Sequence, residues 1–355
     1  MDMRRAYYED VRPFGSVAQV LWLLALLAAL AAAPFVVGGY TVYLLGYAAI
    51  HVIVALGLNI LVGYTGQVSL GHAGFFGIGA YGTVLLMNHL GLPLLPALFL
   101  GALIAAAFGF LLGLPALRLE GPYLAIVTLG FGLAIEVVFE KWEFFGGSVG
   151  PPVPDFPLRF ADGLTADQNL YYLIAILAVV STLAVRNLTR TRIGRALVAV
   201  RDSDVAASCM GVNLTYTKTL AFALSAFFTG LGGGLFAFHL GQIDPTTFGL
   251  VLSILFLAMV VVGGVASILG AVAGAVLISL LNLKLKGLQL ADFEAIPLIG
   301  GALAEFLTAH FMETGMSNIQ YVVYGLIMVG IMLFEPLGLY GYWIRAKIYW
   351  KSWPF

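Results

Sequence analysis

From Gly63 to Gly82 the chain reads GYTGQVSLGHAGFFGIGAYG, which sets Gln67, Ser69 and His72 among seven glycines. A carboxamide, a hydroxyl and an imidazole at this spacing could contact a polar solute or close hydrogen bonds between helices. The glycines carry the stronger signal, because each removes a side chain and lets another backbone approach. Gly63 and Gly66 flank Tyr64-Thr65 and should end one helix, so a re-entrant or broken segment is expected at 63–71. Non-helical backbone at membrane depth survives only where protein buries it or a cavity wets it. The candidates for solute contact or close helix packing are therefore Gly66, Gln67, Ser69, Gly71, His72, Gly74 and Gly77.

Other polar groups in apolar surroundings are His51, Asn59, Glu136 and His239. An intramembrane carboxylate is expensive, yet Glu136 stands close to Glu140 and Lys141, where it could reach water. His51 reads as a structural histidine. No glycine-rich loop followed by Lys-Ser/Thr occurs, nor any HExxH or CxxC spacing, so neither a nucleotide cradle nor a metal site is expected in this chain. The single Cys209 allows no internal disulfide.

The elements that must hold these groups are apolar helices. Hydrophobic residues make up 61% of the chain and charged residues 10%, against roughly 25% charged in soluble domains. From Arg12 to Arg118 no Asp, Glu, Lys or Arg intervenes. Runs such as VLWLLALLAALAAA (Val20–Ala33) are apolar on every side, which favours helices over a β-barrel. The net charge of −1 gives no footing for a nucleic-acid partner. The expected fold is all-α: a single polytopic membrane bundle over 1–355 with about ten spans, near 17–37, 40–62, 72–91, 94–117, 123–140, 170–186, 217–238, 249–264, 267–286 and 320–335. The first apolar run is longer than a signal-peptide core and has acids before it, so it reads as an uncleaved span.

Basic residues orient the bundle. With a cytoplasmic N-terminus, 13 of them lie inside and 4 (Lys141, Arg159, Lys284, Lys286) outside, so both ends are expected to be cytoplasmic, with tails at 1–16 and 336–355. Outer loops are expected at 141–169, rich in Gly and Pro, and at 287–319, with a surface helix. The stretch VVGGVASILGAVAGA (Val261–Ala275) faintly echoes the opening one. The inner segment 187–216 is conspicuous: six basic residues lie between Arg186 and Lys218 inclusive, and Ile193 to Met210 has the periodicity of an amphipathic helix. An inner loop of this length suits a docking surface for a cytoplasmic partner.

The stretch LGLNILVGYTGQVSLGHAGFFGIGAYGTVLL (Leu56–Leu86) closely resembles the signature of the branched-chain amino-acid ABC importer permeases, in particular the M-type member of the permease pair. Four further segments match in order: GLPALRLEGPYLAIVTLGFG (Gly113–Gly132), GRALVAVRDSDVAASCMGVN (Gly194–Asn213), LAFALSAFFTGLGGGLFA (Leu220–Ala237) and LSILFLAMVVVGGVASILGAVAGA (Leu252–Ala275). The resemblance implies a permease subunit of an ATP-driven importer in the bacterial or archaeal inner membrane. It implies a second homologous permease, two cytoplasmic ATPases that bind ATP and Mg, a periplasmic binding protein, and no cofactor on this chain. It also implies that Gly194, Arg195, Arg201, Asp202, Ala206, Ala207 and Gly211 lie in the segment that couples to the ATPase. The sequence departs from the family where an acid usually follows TLGFG, with Glu136 displaced, and where Arg-Pro-Arg-Gly is replaced by Glu335-Pro336-Leu337-Gly338. Relatives of this family carry urea, short amides and aromatic acids as well as Leu, Ile and Val. A stand-alone secondary transporter or channel also fits the spans, but it leaves the 187–216 segment idle and lacks a coupling carboxylate.

Overall fold

A charge-free run can stop a helix only with glycine, proline or a side-chain cap, and the chain breaks at such points. The computed structural model describes residues 17–286, apart from 118, 120, 161 and 162, and residues 325–352, apart from 327, 332, 334 and 336. Helix α1 (Val17–Val36) gives way at Gly38 to α2 (Gly39–Thr65). Helix α2 ends where Gly66 turns left-handed (φ 71°), and Gln67 N–H closes the end by donating to Leu61 O at 3.2 Å. Helix α3 (His72–Leu90) ends at Gly91, also left-handed, and α4 (Leu94–Ala116) starts after Pro93. Helix α5 (Pro122–Lys141) opens on proline, and α6 (Ala166–Arg190) on a reciprocal cap between Thr165 and Gln168. Then follow α7 (Arg192–Asp202), α8 (Asp204–Cys209), α9 (Leu214–Leu240), α10 (Leu250–Gly263), α11 (Ile268–Lys286) and α12 (Gly338–Ser352).

The described residues contain helices, short 3-10 turns and one isolated bridge, Pro152 to Gln242, with no strand. Among them six segments are long and apolar enough to cross a membrane: α2, α4, α5, α6, α9 and Pro245–Gly263. Shorter apolar stretches lie in α1 and α11. Helices stand at the first nine expected segments, whereas half of the tenth, 320–335, lies outside the described residues. So do the surface helix expected in 287–319 and the tail 1–16.

Helix α9 is the centre of the bundle and packs against α4, α2 and α3. Its run Gly230-Leu231-Gly232-Gly233-Gly234 explains how one helix can touch three. A Cβ on Gly233 would fall 1.9 Å from Phe76 O of α3, one on Gly232 2.7 Å from Val54 of α2, and one on Gly230 2.5 Å from the Ala105 Cβ of α4. Outward, α1, α4 and α5 expose Trp22, Leu103, Ile126 and Leu133. That apolar exterior is what lipid contact requires and water forbids.

The two ends differ. One carries the 142–165 loop, where Asn88 donates to Pro152 O at 2.8 Å and His89 stacks on Phe144. The other carries Gly66, α7, α8 and α12. There α10 and α11 are joined through Gly264–Ser267, with Ala266 at φ 62°. Asn59 of α2 pins this turn, accepting from Ala266 N–H at 3.0 Å and donating to Ser267 O at 3.1 Å.

Candidate functional site

The break between α2 and α3 occupies residues 66–71; Gly63 lies inside α2 rather than ending it. From Gly66 the chain folds back into the bundle. Leu70 N–H donates to Thr128 Oγ1 at 3.0 Å, and a Cβ on Gly71 would fall 2.0 Å from Thr128 O. Thr128 lies six residues into α5, about 9 Å from its start at 1.5 Å per residue. The expected break is thus present and packed against α5 about one and a half turns in, and its backbone groups must be met inside protein.

Hydroxyls meet them. His72, fully buried at the start of α3, bonds Ser69 Oγ through Nδ1 at 2.8 Å and Ser225 Oγ of α9 through Nε2 at 2.7 Å. Ala73 N–H donates to Ser253 Oγ of α10 at 2.9 Å. A neutral imidazole can accept from one serine and donate to the other, so both ring nitrogens are satisfied without a charge. The network joins the break to α5, α9 and α10. It is an uncharged, closed arrangement that fixes non-helical backbone.

The glycines of α3 face the chain's own helices. A Cβ on Gly74 would come 3.3 Å from Gly132 Cα, and one on Gly77 2.9 Å from Phe139. Gln67 is buried beside Thr65, and Gly66 is exposed under the Arg201 side chain. Gly79, which the sequence did not single out as a site, makes the tightest approach on α3: a Cβ there would fall 2.0 Å from Gly230 O. His51 is buried and bonds Tyr47 O at 2.8 Å, while Glu136 is half-buried beside Gly249 at the start of α10.

The second group of candidates lies on the surface. Thr191 caps α7 by accepting from Gly194 N–H at 3.3 Å. Gly194 is buried in a sharp turn where a Cβ would fall 2.4 Å from Leu188 O. The single amphipathic helix expected over 193–210 is instead two, because Ser203 is extended and caps α8 through Ala206 N–H at 3.2 Å. That break turns the second half outward. Leu197, Val200 and Ala207 are buried, but Val205 is 74% and Met210 85% exposed, contrary to the inward face their spacing suggested. Gly211, at φ 81°, ends the segment, and Val212 N–H donates to Ala207 O at 3.0 Å.

Two side chains fasten this segment to the bundle. Arg201 donates through Nη1 to Gly63 O at 3.2 Å, one of the last carbonyls of α2, and through Nε and Nη2 to Asp202 at 3.2 and 3.1 Å. Lys218, buried at the start of α9, pairs with Asp204. Arg195 stays exposed, with Nη1 on Arg190 O at 3.2 Å, and Ala206 is exposed. Arg201 thereby ties the surface segment to the end of α2 that precedes the buried break, so the two groups of candidates adjoin. Spacing did not reveal Ser225 or Ser253, whose only signal was a small polar residue inside an otherwise apolar run, and it gave Asn59 and Lys218 no partner. Among the described residues no cluster of His, Cys, Asp and Glu could hold a metal.

Residues 40–332 match the family model described as the branched-chain amino acid transport system permease component. The chain is 39% identical over 287 residues to the high-affinity branched-chain amino acid transport system permease protein LivM of Salmonella typhimurium, covering 74% of this chain and 68% of that protein. Identity and coverage are the same for LivM of Escherichia coli K12. A probable branched-chain amino acid transport permease protein LivH of Methanocaldococcus jannaschii is 24% identical over 310 residues, covering 85% of this chain and 92% of that protein. No solved structure matches.

Proposed function

The chain belongs to the family of branched-chain amino acid transport permease components, and from that premise we propose that it is the membrane-spanning subunit of an ATP-driven importer. Its solute is a branched-chain amino acid or a related small polar molecule, delivered by a periplasmic binding protein. It works beside a second homologous permease and two cytoplasmic ATPases, which carry the ATP and Mg, while this chain binds no cofactor and performs no catalysis. It crosses the bacterial or archaeal inner membrane about ten times with both ends inside, a reading supported by the 13-to-4 bias of basic residues.

The observation that carries the reading is α8. It is a short helix with exposed apolar Val205 and Met210 at its rim, yet it is held to α9 by Lys218 and adjoins the Arg201 link to α2. A surface helix with an apolar tip and rigid fastenings suits a socket on a moving partner. When the ATPases close on ATP, their movement enters at α8. It then passes through Asp204–Lys218 to α9 and through Arg201–Gly63 to α2. These two helices flank the His72 network, so displacement there changes how the 66–71 segment sits against α5 and α10. The solute moves as the bundle alternates between outward and inward openings.

The test is Val205→Asp together with Met210→Asp, assembled with both ATPases and the partner permease. Both side chains already meet solvent, so insertion and thermal stability should be unchanged, while binding-protein-stimulated ATP hydrolysis is lost. Full stimulation in the double variant would refute the docking role. Cysteines at Asp155 and Ser203, in a background lacking Cys209, should be labelled from opposite faces of the membrane.

A further inference from the structure

Helix α5 is the least enclosed of the six long apolar segments: 17% of its most apolar stretch is buried, against 39–89% in the other five. Its exposed positions from 123 to 138, among them Tyr123, Ile126, Gly130, Leu133 and Val137, fall within about 140° of the helix circumference. Buried Leu124, Thr128 and Phe139 take the opposite side. Glu136 is half-buried on the flank between these two faces. Among the described residues no hydrogen bond or ion pair reaches its carboxylate. The groups nearest in the chain are already committed. Lys141 pairs with Glu140 at 2.6 Å, and the hydroxyls of Thr246 and Thr247 both donate to Asp244. Residues 287–324 contain no Lys or Arg.

The fold gives this carboxylate a place without giving it a partner. A Cβ on Gly249 would fall 3.3 Å from Glu136 Oε2, and Gly249 caps the start of α10, the helix end that favours negative charge. A carboxylate on a membrane span is costly in hydrocarbon and marks a functional position. Glu136 is also mechanically placed. A Cβ on Gly132 would fall 3.2 Å from Gly71 Cα, so the break at 66–71 leans on α5 four residues, about 6 Å, from Glu136. No second His, Cys, Asp or Glu among the described residues joins Glu136 in a metal-holding group. A single carboxylate with open lone pairs instead suits a charged N–H donor.

We propose that Glu136 receives the ammonium group of the transported amino acid as it passes α5, a role that rests on the importer reading above and narrows its solute to one with a cationic nitrogen. Urea or a short amide would gain only a neutral hydrogen bond there, and an acid without an amine would be repelled. Displacement of the 66–71 segment shifts the helix that carries the carboxylate, so the hold on the ammonium changes as the bundle moves.

The experiment uses the complete assembly in proteoliposomes with leucine-loaded binding protein, and reads leucine moved per ATP hydrolysed. The unaltered chain tests the importer reading by itself, and absence of ATP-dependent uptake there would count against that reading and remove the footing of this one. Glu136→Gln should lower the ratio about tenfold or more, the scale of one charge-assisted hydrogen bond, and Glu136→Asp should keep more of it. Glu136→Cys, combined with Cys209→Ser, is then modified in the assembled complex with water-soluble thiosulfonates. The reagent that leaves a sulfonate should raise the ratio several-fold, and the one that leaves a trimethylammonium should not. Both adducts form on the same folded chain, so the comparison holds even where Glu136→Gln assembles poorly. A native ratio in Glu136→Gln would overturn the proposal, because the carboxylate would then only anchor the start of α10. A sulfonate adduct no better than the trimethylammonium one would overturn it as well. So would a thiol at 136 that neither reagent reaches, since no aqueous path would pass there.

Discussion

Replacing Gly79 with alanine tests whether the glycine-rich stretch exists to bring helices of this chain together. A Cβ on Gly79 would fall 2.0 Å from Gly230 O and 2.4 Å from Gly230 Cα. Carbon atoms rest at about 3.5 Å or more, so α3 and α9 would have to separate by about 1 Å. Nothing there is a flexible side chain that could swing aside. Gly230 is itself held from behind by Ala102 and Ala105 of α4. Overpacking of this kind costs about 1–3 kcal/mol, partly offset by the roughly 1 kcal/mol that alanine gains over glycine in a helix. The expected net loss is up to about 2 kcal/mol. Gly130→Ala is the control, because a Cβ there meets nothing within 4 Å; it keeps the propensity gain without the collision. Both variants are purified in detergent and followed by fluorescence-detected size exclusion after heating. The melting temperature should fall for Gly79→Ala and hold or rise for Gly130→Ala. The opposite order, or equal values, would refute the packing account of this stretch.

Ser225→Ala leaves His72 Nε2 without its buried partner and should cost about 1–3 kcal/mol, read in the same heating assay. Arg345→Ala strands the Glu335 carboxylate. The expected loss is about 1–2 kcal/mol, less than the 3–5 of a fully buried pair because Arg345 is 67% exposed, and Glu335→Gln in the same chain should restore most of it. Lys218→Met should leave insertion intact but lower stimulated ATP hydrolysis, with Lys218→Arg retaining more of it than Lys218→Met does. Equal activity for the two Lys218 variants would remove that ion pair from the coupling route.

The helices were legible wherever local chemistry decides the outcome. Gly66 and Gly91 stop helices and Pro93 precedes one for reasons that act within one turn, whereas the Thr165–Gln168 cap starts α6 at Ala166, inside the stretch expected as loop. What spacing could not supply was partner and direction. His72 meets Ser225 across 153 positions, and Asn59 meets Ser267 across 208. No periodicity encodes such pairings. The glycines of α3 were expected to serve solute contact or close helix packing, and the sequence did not say which helices of the chain would approach them; α5 and α9 do. Gly79 reads as one small residue among Gly71, Gly74, Gly77 and Gly82, and only the position of Gly230 sets it apart. At 193–210 the apolar period continued through Ser203, but a single extended residue rotated Val205 and Met210 away from the bundle. The amphipathic reading found the segment and missed its outward side.

The most direct test of the proposed function is leucine uptake into proteoliposomes. This chain is reconstituted alone, and also together with the partner permease, both ATPases and a loaded binding protein. Radiolabelled leucine should accumulate only in the complete assembly with ATP inside the compartment that holds α8, and the chain alone should pass none. Leucine flux through this chain by itself, without ATP, would contradict the account and make it a stand-alone carrier or channel.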